Sequence, residues 1–157
     1  MNNILLMYWS KTGNTKSFID FFVENSSCKV DAYNMKNGML KKSELKKYNK
    51  ICIGTYTWGY GKIPKQVKEF IIEHQDMLSN KEFFLFGSGN SIYPKFCGAL
   101  DNIEIILNDL NSNVNSLVRI DQQFNKDDFT YSQIDRMKQN IKNFSEVNLW
   151  KEKMIYF

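Results

Sequence analysis

Two hydrophobic rhythms take turns along this chain, and few architectures accept that arrangement. Short, continuous apolar runs fall at Ile4–Tyr8, Val30–Tyr33, Ile51–Gly54, Phe83–Phe86 and Val114–Ile120. Such runs fit strands buried on both faces of a parallel sheet. Between them lie longer segments with apolar residues at helical spacing. Thr15–Glu24 gathers Phe18, Ile19, Phe22 and Val23 on one face, and Lys65–Leu78 gathers Val67, Phe70, Ile71 and Met77 or Leu78. Phe96–Leu110 carries Leu100, Ile103, Ile106, Leu107 and Leu110, and Gln133–Phe144 carries Ile134, Met137, Ile141 and Phe144. The link Asn34–Asn49 fits either a short helix or a loop. Strand-helix alternation of this kind predicts a three-layer α/β fold, a doubly wound five-stranded parallel sheet with helices on both faces. With no repeats, low-complexity tracts or Pro/Gly-rich linkers, residues 1–157 are expected to form one domain. Pro64 and Pro94 both precede expected helices, where proline is tolerated.

Strand order 2-1-3-4-5 fits five such strands, and ligands of these sheets bind beyond the carboxyl ends of the strands at the switch point. The segments after strands one, three and four are the ones to inspect, and all three are unusual. Ser10-Lys11-Thr12-Gly13-Asn14-Thr15 offers three hydroxyls, an amide and several backbone N–H groups at a helix start, where orientation and dipole favour an anion. It is neither a GxxxxGK[ST] nor a GxGxxG motif, and it suits a single terminal phosphate. The plain alternative is a Ser/Thr-capped helix start. Gly54-Thr55-Tyr56-Thr57-Trp58-Gly59-Tyr60-Gly61 sets large aromatics among glycines, and a planar ligand would cover Trp58 and gain stacking. A core tryptophan is the competing reading. Gly87-Ser88-Gly89-Asn90-Ser91-Ile92-Tyr93-Pro94-Lys95-Phe96-Cys97-Gly98-Ala99-Leu100-Asp101 combines glycines that permit close backbone approach with Tyr93 as a second aromatic wall. It is otherwise an ordinary strand-to-helix turn.

Composition narrows the function classes. Hydrophobic residues are 43% and charged residues 24%, values of a water-soluble globular chain. No apolar run nears the roughly 20 residues of a membrane span, and Met1-Asn2-Asn3 lacks the basic start of a signal peptide, so a cytoplasmic protein with no membrane contact is expected. Cys28, Cys52 and Cys97 form no CxxC pair, which points to reduced, mostly buried thiols and no metal site. His74 is the single histidine and lies in an amphipathic segment, so a surface or half-buried place is expected for it rather than a catalytic one. The net charge of +4 is concentrated at Lys41, Lys42, Lys46, Lys47 and Lys50. A solvated face, a docking patch for an acidic protein and a nucleic-acid surface all fit. No nucleic-acid motif accompanies the lysines, so no nucleic-acid partner is expected.

Taken together, Tyr8-Trp9-Ser10-Lys11-Thr12-Gly13-Asn14-Thr15, Gly54-Thr55-Tyr56-Thr57-Trp58-Gly59 and Phe86-Gly87-Ser88-Gly89-Asn90 followed by Tyr93–Asp101 resemble the phosphate loop and the two flavin loops of short-chain bacterial flavodoxins. The resemblance runs from end to end of the chain. It implies the flavodoxin-like fold, a non-covalent FMN, a monomer, and a soluble low-potential one-electron carrier rather than an enzyme. Its partners would be redox proteins, a reductase or ferredoxin-type donor and an acceptor enzyme. Ser10, Lys11, Thr12, Gly13, Asn14 and Thr15 would then hold the phosphate, and Trp58 and Tyr93 would flank the isoalloxazine. Thr57, Asn90, Lys95 and Cys97 would meet its pyrimidine end, largely through backbone groups. Thr55, Tyr56 and Ser88 would meet the ribityl chain, with Gly59, Tyr60, Gly89 and Phe96 completing the two loops. The chain departs from the family in having neutral Tyr60 and Asn90 where carboxylates are usual, and in being basic overall. Thr55-Tyr56-Thr57 with Gly59–Pro64 also resembles the flavoprotein that activates manganese-dependent (class Ib) ribonucleotide reductase, which is the alternative function.

Overall fold

The computed structural model describes residues 3–10, 15–57, 61–92 and 95–146. Five parallel strands form one sheet in the order β2-β1-β3-β4-β5: β1 Ile4–Tyr8, β2 Val30–Asn34, β3 Lys50–Tyr56, β4 Glu82–Gly89 and β5 Asn113–Asp121. The helices are α1 Lys16–Asn25, α2 Lys42–Leu45, α3 Lys65–Glu73, α4 Gln75–Leu78, α5 Gly98–Asp109 and α6 Tyr131–Ser145. Both the doubly wound architecture and the strand order agree with the sequence reading.

The sheet separates two cores of different character. Under α3 and α5 lie mainly aliphatic and sulfur side chains, among them Leu5, Met7, Ile51, Ile53, Leu85, Leu100, Ile103 and Leu107. Under α1 and α6 half of the buried side chains are phenylalanines: Phe18, Phe21, Phe22, Phe84, Phe86, Phe124 and Phe144. Phe18 packs with its ring centroid 4.6 Å from that of Phe86 and 5.2 Å, edge-on, from that of Phe124. This packing fixes α1, and with it the helix start that follows β1.

Local chemistry sets the boundaries. At Thr130 the hydroxyl accepts from the Gln133 N–H while the Gln133 side chain accepts from the Thr130 N–H, a reciprocal cap that starts α6 at Tyr131. The link after β2 resolves into a 3-10 turn, Met35–Asn37, capped by the Asn34 side chain, and then the four-residue α2.

Three expectations need correction. The edge runs are not buried strands. β2 and β5 are half-exposed, and β5 alternates faces and is bulged where Phe83 and Phe84 pair with Val114 and Ser116, leaving Asn115 extra. The single helix expected over Lys65–Leu78 is two helices that meet at His74 (φ −111°, ψ 12°). His74 is itself buried, at 2% exposure, rather than at the surface. Its Nδ1 lies 3.0 Å from the Phe70 carbonyl oxygen and its Nε2 2.8 Å from that of Leu40. The ring thus ties the link after β2 to the end of α3, a partnership that helical periodicity cannot reveal. Cys52 and Cys97 are buried and Cys28 half-buried, all as free thiols. Among the described residues, no helix is long and apolar enough to cross a membrane.

Candidate functional site

Parallel register brings the three unusual segments to one rim. Tyr8 pairs with Gly54, Tyr56 with Ser88, and Gly89 with Asp121. Backbone bonds continue the alignment past the strands: Trp9 N–H donates to the Gly54 carbonyl (2.9 Å), Thr57 N–H to Ser88 (2.9 Å) and Gln122 N–H to Gly89 (2.7 Å). The segments therefore leave the sheet side by side.

The start of α1 is the first component. Thr15 stands at its N-cap position, 2% exposed, yet its side chain makes no capping bond and its Oγ1 has no hydrogen-bond partner among the described residues. The Ser17 Oγ, at the second residue of α1, is also buried without a partner among the described residues. The first turn carries no acidic residue to oppose the helix dipole. A buried hydroxyl without a partner costs about 1–3 kcal/mol, so an anion bound here would satisfy what the fold leaves open. Ser10, half-buried, closes the strand side of this loop. Lys11, Thr12, Gly13 and Asn14 lie outside the described residues.

The second component follows β3. Thr55 is fully buried, and its hydroxyl donates to the Tyr56 carbonyl (3.2 Å). The Tyr56 hydroxyl accepts from the Trp9 indole N–H (3.2 Å), so the loops after β1 and β3 are joined by side chains as well as by backbone. Thr57 Oγ1 accepts from the Ala99 N–H (3.2 Å). Trp58, Gly59 and Tyr60 lie outside the described residues, so neither the aromatic wall nor the neutral position at Tyr60 is described.

The third component follows β4. Ser88 is 7% exposed, Gly89 and Asn90 are half-buried, and the Asn90 side chain accepts from the Ile92 N–H (3.1 Å) within its own loop. A Cβ on Gly89 would fall 3.0 Å from the Cys97 nitrogen and 3.2 Å from its sulfur, so a side chain here would press on the turn that leads into α5. Cys97 is in the left-handed region (φ 53°) immediately before α5. Its thiol is buried 3.6 Å from the Gly87 carbonyl oxygen and 3.7 Å from that of Ile120. Burial pushes that thiol up to about 11, so it stays protonated and contributes packing rather than nucleophilic chemistry. Lys95 is exposed and Phe96 half-buried, while Tyr93 and Pro94 lie outside the described residues.

Strand five was absent from the sequence reading of the site, and it contributes two fastenings. Asp121 accepts from the Ser91 N–H (3.1 Å) and hydroxyl (2.5 Å), holding the third loop from the side. Arg119 makes a two-pronged bond to Asp101 of α5, 3.1 Å for the Nη1 prong, and also donates to the Cys97 carbonyl (3.4 Å). The Asp101 bond raises the Arg119 guanidinium above its ordinary value, keeping it charged. The available signal was adjacency: strand five borders strand four, so its end meets the third loop. The rim as a whole combines a helix start with open hydroxyls and two loops whose described residues are fastened at several points.

The family model for flavodoxin matches residues 6–133. A probable flavodoxin 1 from Bacillus subtilis is 34% identical over 110 residues, covering 68% of this chain and 69% of that one. Among solved structures, flavodoxin 2 of Bacillus cereus superposes with a TM-score of 0.70 at 27% identity, covering 91% of this chain and 94% of that one. A Fusobacterium nucleatum flavodoxin bound to flavin mononucleotide superposes at 0.64 with 17% identity, covering 92% and 95%. The sheet order, the three converging strand-end loops and these matches agree: the chain belongs to the flavodoxin family of electron-transfer flavoproteins.

Proposed function

We propose that this chain holds one FMN non-covalently across the ends of β1, β3 and β4 and carries single electrons between redox proteins. The observation that carries the reading is the buried, partnerless Thr15 hydroxyl at the start of α1. A terminal phosphate is the group whose charge and acceptors suit it. FMN supplies the one-electron chemistry, and the protein's task is to bind and orient it. In this reading Ser10–Thr15 hold the phosphate, with Thr55, Tyr56 and Ser88 along the ribityl chain. Trp58 and Tyr93 stack on the ring, and Thr57, Asn90, Lys95 and Cys97 line its pyrimidine end. The long third segment, Gly87–Asp101, favours an electron carrier over the activator of class Ib ribonucleotide reductase.

Two hydrogen bonds to a charged phosphate, each about 1.5–3 kcal/mol, amount to at least a hundredfold in affinity. Calorimetry should therefore show riboflavin binding at least about a hundredfold more weakly than FMN. Equal affinities would refute the phosphate site. Spectroelectrochemical titration of the loaded protein should resolve two one-electron steps, and a single two-electron wave would refute the carrier role.

A further inference from the structure

The two described ends of the loop after β3 are fastened to one helix. Thr57 Oγ1 accepts from the Ala99 N–H (3.2 Å), and the Gly61 carbonyl accepts from the Asn102 side-chain amide (2.7 Å). Ala99 and Asn102 are three residues apart on α5 and therefore share a face. The loop's exit also touches the helix start. Gly61 is buried with φ 82°, and a Cβ on Gly98 would fall 3.0 Å from the Gly61 Cα. Backbone thus lies against backbone, so the Asn102 bond has little slack. The helix is itself immobilised, by burial of Leu100, Ile103 and Leu107 and by the Arg119–Asp101 bond. Asn102 is exposed and fills no core space, yet its amide makes the shorter of the two fastenings.

We propose that Asn102 is a positioning residue for the flavin site: by holding the Gly61 carbonyl, it fixes the span of the loop between Thr57 and Gly61 and so the redox properties of the cofactor beside it. The proposal rests on the FMN reading above. With Thr57 and Gly61 both held on one rigid frame, any change in the flavin is met between fixed points. Releasing one end lets the whole loop adjust, which alters how strongly each oxidation state is favoured.

Asn102→Ala and Asn102→Asp test this, the second because it keeps the shape while presenting an acceptor to the Gly61 carbonyl. Asn108→Ala, exposed on the same helix, is the control. In cofactor-free protein, amide hydrogen exchange across residues 57–62 should rise at least about tenfold in both variants. In FMN-loaded protein, the separation between the two one-electron potentials should change by at least about 59 mV, a factor of ten for one electron. The control should match the wild type on both counts. Unchanged exchange overturns the tether, and raised exchange with unchanged potentials reduces Asn102 to a structural residue and overturns the proposal. Calorimetric FMN binding by the wild type tests the cofactor reading separately, and exchange in the cofactor-free protein reads the tether whatever that result.

Discussion

The start of α1 and the amino-terminal rim of the sheet treat buried polar groups in opposite ways. At the amino-terminal rim they are bonded within the protein. The Lys81 amino group donates to the Tyr48 carbonyl (2.5 Å), the Ser145 hydroxyl accepts from the Ser27 N–H (2.8 Å) and donates to the Lys142 carbonyl (3.0 Å), and both His74 ring nitrogens face carbonyls. At the start of α1, Thr15 and Ser17 keep buried hydroxyls without partners among the described residues. Folding alone would favour satisfying them, since each costs about 1–3 kcal/mol. Hydroxyls left open at the start of α1, against polar groups closed at the far rim, are what a bound ligand would satisfy.

The sharpest way to break this contrast is at Thr15. Thr15→Val should weaken FMN by about 10- to 100-fold, the loss of one bond to a charged acceptor. Thermal denaturation of the cofactor-free variant should show equal or higher stability, because the buried hydroxyl is gone. A cofactor-free protein that becomes less stable would mean Thr15 is structural.

On the other rim the same kind of change should cost folding and spare binding. His74→Phe keeps an aromatic ring but removes the ring nitrogens beside the Phe70 and Leu40 carbonyls, and should cost about 1–3 kcal/mol in urea denaturation. FMN affinity of the folded variant should remain at the wild-type value. A variant that folds normally but binds FMN poorly would erase the distinction between the rims.

Tyr48 sharpens the amino-terminal side through pH. Burial, and then its hydrogen bond to Asp31 (2.6 Å), push its hydroxyl up to about 12. A group raised in the folded state stabilises fully below its unfolded pKa, near 10, and loses that contribution as pH climbs through 12. Wild-type stability should therefore fall between about pH 10 and 12, and Tyr48→Phe should flatten that fall. At neutral pH the variant should lose about 1 kcal/mol, discounted because the pair is only part-buried. Absorbance titration of the phenolate checks the assignment directly.

The smallest expected effect belongs to the ligand rim. Asn90 is neutral and half-buried in the third loop. A carboxylate introduced by Asn90→Asp opposes the negative charge that the second electron brings. It should lower that potential by a few tens of millivolts, more at low salt than at high. An unchanged or raised value would assign control of the potential to loop geometry.

Legibility from sequence followed the range of the interactions. The strands, most of the helices and the three loops were readable because buried runs, helical spacing and turn residues are local signals. His74 was misplaced because its partner at Leu40 is remote in sequence and belongs to a segment with no clear period. The edge strands read as buried because Val30 and Val114 are as apolar as their central counterparts, and an edge is defined by a missing neighbour rather than by composition. Thr15 was legible as a helix start, but its missing capping bond was not. Asp121, Arg119 and Asn102 were absent from the sequence reading of the site because each acts by fastening a loop that starts on another strand.

The bulge in β5 has a consequence outside the site. A five-stranded open sheet exposes two rows of unpaired backbone groups, and a second molecule can extend the sheet from either one. At Asn115 the extra residue breaks the regular spacing of donors and acceptors, and Asn113, Asn115, Arg119 and Asp121 face solvent along the same strand. An incoming strand would find its partners out of step and would have to strip water from charged and amide side chains. The irregularity therefore guards the protein against growing edge to edge into fibrils.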